Sequence, residues 1–324
     1  MKIAIDVMGG DYSPAANIDG AFDYINNNSD IYFYLVGDKH VISDYLKKNN
    51  LKSDCIIIID APESITDDDR PSRVFKTKPN SSLVQSINLL KNKEVNAVIS
   101  AGNTGALLAT SLFLIGKINH IKRPALAPYV PSNKKGFILC DAGANVDTKP
   151  EHLLQFAIMS KCYLENVENI DNPRIGLLNI GKESNKGNEL VKQAYPILTE
   201  KLDNFIGNIE PQYILNEDVD IVICDGFTGN ITLKLTEGIF KNIFQWATAS
   251  SGDNSLIKSI SNKFDYEEHG GTPILGIKDI VIKCHGSSTK QSIFNSINTA
   301  KIFYNKKMIN KIEQDLTNQL LLSS

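Results

Sequence analysis

The chain has 324 residues, of which 42% are hydrophobic and 22% charged, an ordinary globular composition with ample length for a large core. Its formal net charge of −3 supplies no bulk polycation, and no RNA- or DNA-binding motif occurs, so nucleic acid is excluded as a partner. No apolar run is long enough to span a bilayer. Cys55, Cys140, Cys162, Cys224 and Cys284 include no Cys-x-x-Cys pair, which argues against a disulfide framework or zinc site and points to a reducing cytoplasm.

The opening MKIAIDVMGGD is too short in its apolar part and too quickly acidic for a signal peptide, and reads as a first strand, KIAID (2–6). Six further runs have the pattern of buried parallel strands: IYFYLVG (31–37), NAVIS (96–100), GFILC (136–140), RIGLLNI (174–180), DIVIC (220–224) and DIVIKC (279–284). Helical patterns separate most of them. SSLVQSINLLK (81–91) is amphipathic, and ALLATSLFLIG (106–116) is apolar nearly all round. DTKPEHLLQFAIMSKCYL (147–164) opens with a capping box, Thr148-x-x-Glu151, and has Pro150 in its first turn. This alternation predicts an α/β fold: a mainly parallel sheet with helices on both faces, a Rossmann-like three-layer sandwich. Residues 1–324 read as a single domain, with an excursion at about 247–271.

Most of these strands run into a glycine-bearing turn: DVMGGD (6–11), AGNTGA (101–106), DAGANVD (141–147), GKESNKGNE (181–189), DGFTGN (225–230) and HGSST (285–289). In one parallel sheet all would lie on the carboxyl edge, where open α/β folds bind ligands. Bare backbone and helix N-termini at such an edge suit an anion. Tight helix–strand packing would by itself explain any one turn.

Several motifs are absent or broken. No Gly-x-Gly-x-x-Gly follows the first strand, and no Gly-x-Ser-x-Gly elbow occurs. Gly176 to Gly181-Lys182 approaches a P-loop, but Glu183 replaces the required hydroxyl. Cys284 and His285 are adjacent on a strand, so their side chains point to opposite faces and do not form a nucleophile–base pair.

As sequences, the turns resemble the bacterial phosphate acyltransferase family PlsX. The matching phrases are IAIDVMGGDYSP, SAGNTGALLA, RPALAPYVPS, DAGANVDTKPEHLLQFA, IGLLNIGKESNKGNEL, VDIVICDGFTGNITLKLTEG, GGTPILG and IVIKCHGSS, covering nearly the whole chain in order. Asn80 stands where members carry an acidic residue before Ser-Ser, and the GKES turn (181–184) is less acidic than usual. The resemblance implies a fold similar to phosphotransacetylases and the isocitrate/isopropylmalate dehydrogenase group. It implies a reaction in which an acyl carrier protein thioester and inorganic phosphate give acyl phosphate and free carrier protein. That product feeds glycerol-3-phosphate acylation in phospholipid synthesis. It further implies a homodimer, cytoplasmic, in peripheral contact with the membrane or with a membrane glycerol-3-phosphate acyltransferase. A phosphotransacetylase-type enzyme using acyl-CoA is the alternative.

The residues fit such chemistry without a cofactor or metal, because phosphate is itself a nucleophile and a thiolate of pKa about 8.5 a fair leaving group. The expected donors to phosphate and to the developing oxyanion are the backbone N–H groups of Gly102, Asn103, Thr104 and Gly105 and of Gly286, Ser287 and Ser288, with the Thr104, Ser287 and Ser288 hydroxyls. His285 either donates to phosphate, protonates the leaving thiolate, or caps the helix that follows. Gly9, Gly10, Asp11, Asp141, Asn145, Asp225, Gly226, Thr228, Gly229 and Asn230 also fall on the ligand edge, as does Asp6. Lys182 and Lys186 are the nearest cations in sequence to balance phosphate.

Two stretches without acidic residues, KINHIKR (117–123) and KIFYNKKMINK (301–311), are candidates for steering an acidic carrier protein. Leu235, Ile239, Phe240, Ile243, Phe244 and Ala247 form a helical stripe ending near Trp246, suited to a membrane surface, a sheet or a dimer partner. Leu256, Ile257 and Ile260 share the membrane reading.

Overall fold

In the computed structural model, which describes residues 1–28, 30–66, 68–132, 135–216, 218–250 and 270–321, the chain groups into two units, Met1–Asn119 with Glu267–Asn310 and His120–Tyr266 with Lys311–Ser324. Elements are numbered here in chain order. The first unit holds β1 (Lys2–Asp6), α1 (Ala15–Asn27), β2 (Tyr32–Gly37), α2 (Lys39–Lys48), β3 (Ile56–Asp60), α3 (Val74–Thr77), α4 (Ser82–Lys91), β4 (Ala97–Ser100) and α5 (Thr104–Leu114). It also holds β11 (Thr272–Leu275), β12 (Ile280–Lys283) and α9 (Lys290–Asn305). Its strands lie in the order β3-β2-β1-β4-β12-β11, all parallel except β11.

This order reverses at β1. The chain moves one way from β1 to β2 and β3, then returns to place β4 on the other side of β1. Right-handed crossovers therefore put α1 and α4 on opposite faces. The strands between them are buried on both sides: Ile3, Ala4, Ile5, Val98, Ile99 and Ile282 expose essentially nothing. Gly20 lets α1 reach α9, since a Cβ there would stand 2.6 Å from the Ile293 Cβ.

The second unit holds β5 (Ala125–Leu126), β6 (Tyr129–Val130), β7 (Phe137–Cys140), α6 (Pro150–Tyr163), β8 (Ile175–Leu178), α7 (Glu189–Lys201), β9 (Phe205–Ile209), β10 (Ile221–Ile223) and α8 (Gly226–Ser250). The last helix, α10, spans Met308–Leu321. Strands β6-β7-β10-β8-β9 form a second sheet, antiparallel only at β6–β7. Val130, Phe137, Leu139, Leu178, Ile209 and Val222 pack as one core.

The α/β architecture read from the sequence holds, with mostly parallel sheets and helices around them. The single sheet does not. The seven runs divide between two sheets, because an apolar run shows that a strand is buried but not which strand it pairs with. Strands β3, β9 and β11 lay outside those runs: β3 is a half-exposed edge strand, β9 is interrupted by Gly207 at φ +94°, and β11 carries Pro273. The capping box is also displaced. Helix α6 begins at Pro150 with Lys149 as N-cap, whose N–H donates to His152 Nδ1 at 3.1 Å, while the Thr148 hydroxyl is buried without a partner. Most of the expected excursion at 247–271, with Leu256, Ile257 and Ile260, lies outside the described residues; α8 runs to Ser250.

Candidate functional site

Three strands of the first unit, β1, β4 and β12, end on a polar residue, and the sheet register sets those residues in one row. Asp6 of β1 is opposite Ser100 of β4, and Ser100 is opposite Lys283 of β12. In-register residues of parallel strands share a face. All three are buried. The Asp6 carboxylate accepts from Ser100 Oγ at 2.6 Å and from Ser82 Oγ, on the first turn of α4, at 2.5 Å. Burial raises its pKa, and the two hydroxyls and Lys283 oppose that shift. The Lys283 ammonium donates to Gly102 O at 2.7 Å and to Cys284 O. Burial pulls its pKa down, against Cys284, Asp6 and Asp11.

Directly beyond this row the turns meet. Gly9 and Gly102 follow β1 and β4, the two strands between which the topology switches, and open α/β sheets bind ligands at that crevice. A Cβ on Gly9 would stand 2.6 Å from Gly102 N, so only bare backbone fits. Gly10 adopts φ +94°, and Asp11 N donates to Gly286 O at 2.7 Å, joining the turn after β1 to the turn after β12. Buried Asn17 holds the first turn from behind, donating to Val7 O at 2.9 Å and Gly9 O at 2.8 Å.

Asn103 is the N-cap of α5, its Oδ1 accepting from Ala106 N at 2.9 Å. Helix geometry leaves the N–H groups of Thr104 and Gly105 without intrahelical acceptors, at the positive end of the α5 dipole. His285 is exposed, and α9 takes Thr289 as its N-cap, so His285 does not cap that helix. Its Nδ1 accepts from Ser287 N at 3.2 Å and lies 2.8 Å from Ser287 Oγ. A backbone N–H can only donate, so Nδ1 is the acceptor in that contact, and the tautomer that makes it carries the ring proton on Nε2. Ser288 is buried, with its N–H on His285 O at 3.1 Å. Cys284, by contrast, is enclosed against Ser296 Oγ at 3.1 Å, and burial pushes its thiol up to about 11.

The remaining predicted residues lie in the second unit, where turns after β7 and β10 interlock. Buried Asp141 accepts from Leu126 N (2.9 Å), Ala144 N (3.1 Å), Asn145 N (2.7 Å) and Asn145 Nδ2 (2.9 Å). Burial still raises its pKa. Its oxygens are occupied in shaping the turn. Gly226 N donates to Asn145 O at 2.8 Å, and Gly229 packs so tightly that a Cβ would overlap Asp141 O. Asp225 accepts from Thr228 N at 2.9 Å and Thr228 Oγ1 at 2.7 Å, opening α8. Asn230 Nδ2 stands 2.6 Å from where a Gly143 Cβ would be. Lys182 lies over the Tyr213 ring, 4.7 Å from its centroid, and Lys186 is exposed on the turn after β8.

The six turns thus divide three and three between the units. Sequence reasoning missed Ser82, Ser100, Lys283 and Asn17. A signal was present for two of them: an apolar strand that closes on a buried hydroxyl or ammonium has a reason to do so.

A mostly parallel sheet with helices around it and glycine turns at its switch point places the chain in the open α/β class, whose ligands bind at that crevice. The chain belongs to the family described as "fatty acid synthesis protein", whose model matches residues 1–311. This bears out the resemblance carried by the turn sequences. It is 43% identical over 329 residues to a phosphate acyltransferase of Clostridium tetani, covering 98% of each chain. It is 44% identical over 327 residues to a phosphate acyltransferase of Clostridium acetobutylicum, covering 98% of this chain and 99% of the relative. In fold it is similar to the EutD phosphotransacetylase from Staphylococcus aureus, with TM-score 0.62, 13% identity and coverage of 97% and 94% of the two chains.

Proposed function

We infer that this protein transfers an acyl group from a thioester to inorganic phosphate. The observation that carries the reading is the meeting of Gly9, Gly102 and Gly286 at the switch point beside the N-terminus of α5. There the backbone offers neutral N–H donors, and the full-length relatives named phosphate acyltransferase supply the reaction class.

In that reaction a phosphate oxygen attacks the thioester carbonyl and a C–O bond forms. The tetrahedral oxyanion collapses, the C–S bond breaks, and the thiolate leaves with the electron pair. The N–H groups of Thr104 and Gly105 bind anionic oxygen, and removal of one such donor typically costs about 3 kcal/mol of barrier. The His285 Nε2–H is available to phosphate or to the departing sulfur. The Asp6–Ser100–Lys283 row holds the turns in place from below.

The acyl donor in this reading is a long-chain acyl carrier protein thioester, and the acyl phosphate is consumed in glycerol-3-phosphate acylation for phospholipid synthesis. The protein acts as a homodimer in peripheral contact with the membrane or with a membrane acyltransferase. The exposed stripe on α8 supports an apolar partner: Phe227, Ile231, Leu235, Ile239, Ile243 and Trp246 all face solvent. Among the described residues no helix is long and apolar enough to cross a membrane.

The test supplies palmitoyl-carrier protein or palmitoyl-CoA with phosphate and EDTA, trapping acyl phosphate as its hydroxamate. A stronger signal from the carrier thioester is expected. A stronger signal from the CoA thioester would replace the donor, and none from either would overturn the reading.

A further inference from the structure

We propose that Lys283 is the positioning residue of this edge, orienting the turns after β4 and β12 so that the Asn103 and His285 N–H groups face the bound anion. The inference rests on the reading of the first unit's sheet edge as the phosphate site.

A lysine at the end of a buried strand is a costly choice, because its ammonium loses water that an apolar side chain would never have needed. Lys283 is 9% exposed and spends its donors on two backbone carbonyls, Gly102 O and Cys284 O, each at the start of a different glycine turn. The consequence follows from peptide planarity. In a trans peptide the C=O of one residue and the N–H of the next point in opposite directions. Drawing Gly102 O toward the ammonium turns the Asn103 N–H away from it, and drawing Cys284 O inward does the same for His285 N–H. One buried cation thereby sets the orientation of two peptide groups on two turns.

Gly102 is in addition held at its other end. Its N–H donates to Ser100 Oγ at 3.0 Å, and that hydroxyl donates to Asp6 at 2.6 Å. The Gly102 residue is thus fixed at both N and O by members of the same in-register row, with Asp6 as the compensating charge. Nothing in this arrangement requires Lys283 to touch substrate. It acts through the turns.

The experiment compares Lys283→Met, Lys283→Arg and His285→Ala in phosphate-dependent acyl phosphate formation, with thermal midpoints recorded in parallel. The proposal expects Lys283→Met, assayed well below its midpoint, to lower kcat/KM for phosphate at least a hundredfold, although the midpoint itself falls because Asp6 loses its compensating cation. Lys283→Arg restores part of that loss by keeping the cation. If Lys283→Met stays within threefold of the unaltered protein while His285→Ala is impaired, the positioning role fails and the site stands. If neither variant is impaired, the site itself is misplaced. If activity falls only in step with the midpoint and Lys283→Arg restores nothing, Lys283 is merely structural and the proposal is overturned.

A second measurement needs no variant. Lys283 faces Asp6 from β1, Asp11 from the turn after β1, and its own neighbour Cys284. Burial holds the Lys283 ammonium below the ordinary lysine range, so the turnover of the unaltered protein should fall as pH rises through that lowered value. A rate flat through the alkaline range up to the ordinary lysine value would also overturn the proposal.

Discussion

Gly9 and Gly102 lie backbone to backbone, with only 2.6 Å between Gly102 N and the place a Gly9 Cβ would occupy. The clash falls on main chain, which cannot swing aside as a flexible side chain can. Gly9→Ala therefore separates the turns after β1 and β4. The expected cost is about 1–3 kcal/mol of stability, as for overpacking in a core. Turnover falls further than stability predicts, because the same contact positions the α5 N-terminus. Urea denaturation and steady-state rates on one preparation check both.

Asp6 is the acceptor for two buried hydroxyls, Ser82 and Ser100. Asp6→Ala leaves both unsatisfied, at about 1–3 kcal/mol each. The carboxyl's pKa is raised in the folded state, so the folded protein binds its proton more tightly than the unfolded chain does. That contribution is fully present below the ordinary carboxylate range and is lost as pH rises through the raised value. The stability of the unaltered protein relative to Asp6→Asn should decline over that window. A difference independent of pH there would remove the assigned burial effect.

Asp225 accepts from Thr228 N and Thr228 Oγ1 at the start of α8. Asp225→Ala removes this cap and should lower the unfolding free energy by about 0.5–2 kcal/mol. Asp225→Asn, which keeps an acceptor oxygen, should recover most of it in the same denaturation experiment.

The α8 stripe repeats at close to helical spacing, from Phe227 at 59% exposure to Trp246 at 67%. If the stripe is the interface of the proposed homodimer, a single charge in its middle, Leu235→Glu, should shift the protein toward monomer in sedimentation while leaving its circular dichroism unchanged. Unaltered sedimentation together with lost binding to anionic vesicles would instead assign the stripe to a lipid surface.

The sequence made the α/β class and the six glycine turns legible because both depend on local pattern: apolar runs, helical spacing and turn glycines. It did not reveal two sheets, since pairing is a long-range choice. KIAID and NAVIS look alike whether or not they are neighbours. The same limit hid Ser82, 76 residues from Asp6 in sequence, and Lys283, 181 residues from Gly102. Lys182 and Lys186 are legible in the sequence only as cations near glycines; in the structure Lys182 lies over Tyr213 and Lys186 is exposed on the turn after β8. Strand-terminal polarity was the readable clue. Its meaning came only from register.

The most direct test of the account measures thioester loss and acyl phosphate gain together while phosphate is varied from zero to saturation. One acyl hydroxamate should be recovered per thioester consumed, and both rates should saturate with phosphate and vanish without it. Thioester consumption that continues unchanged in phosphate-free buffer, yielding free fatty acid, would contradict it and make water the acceptor.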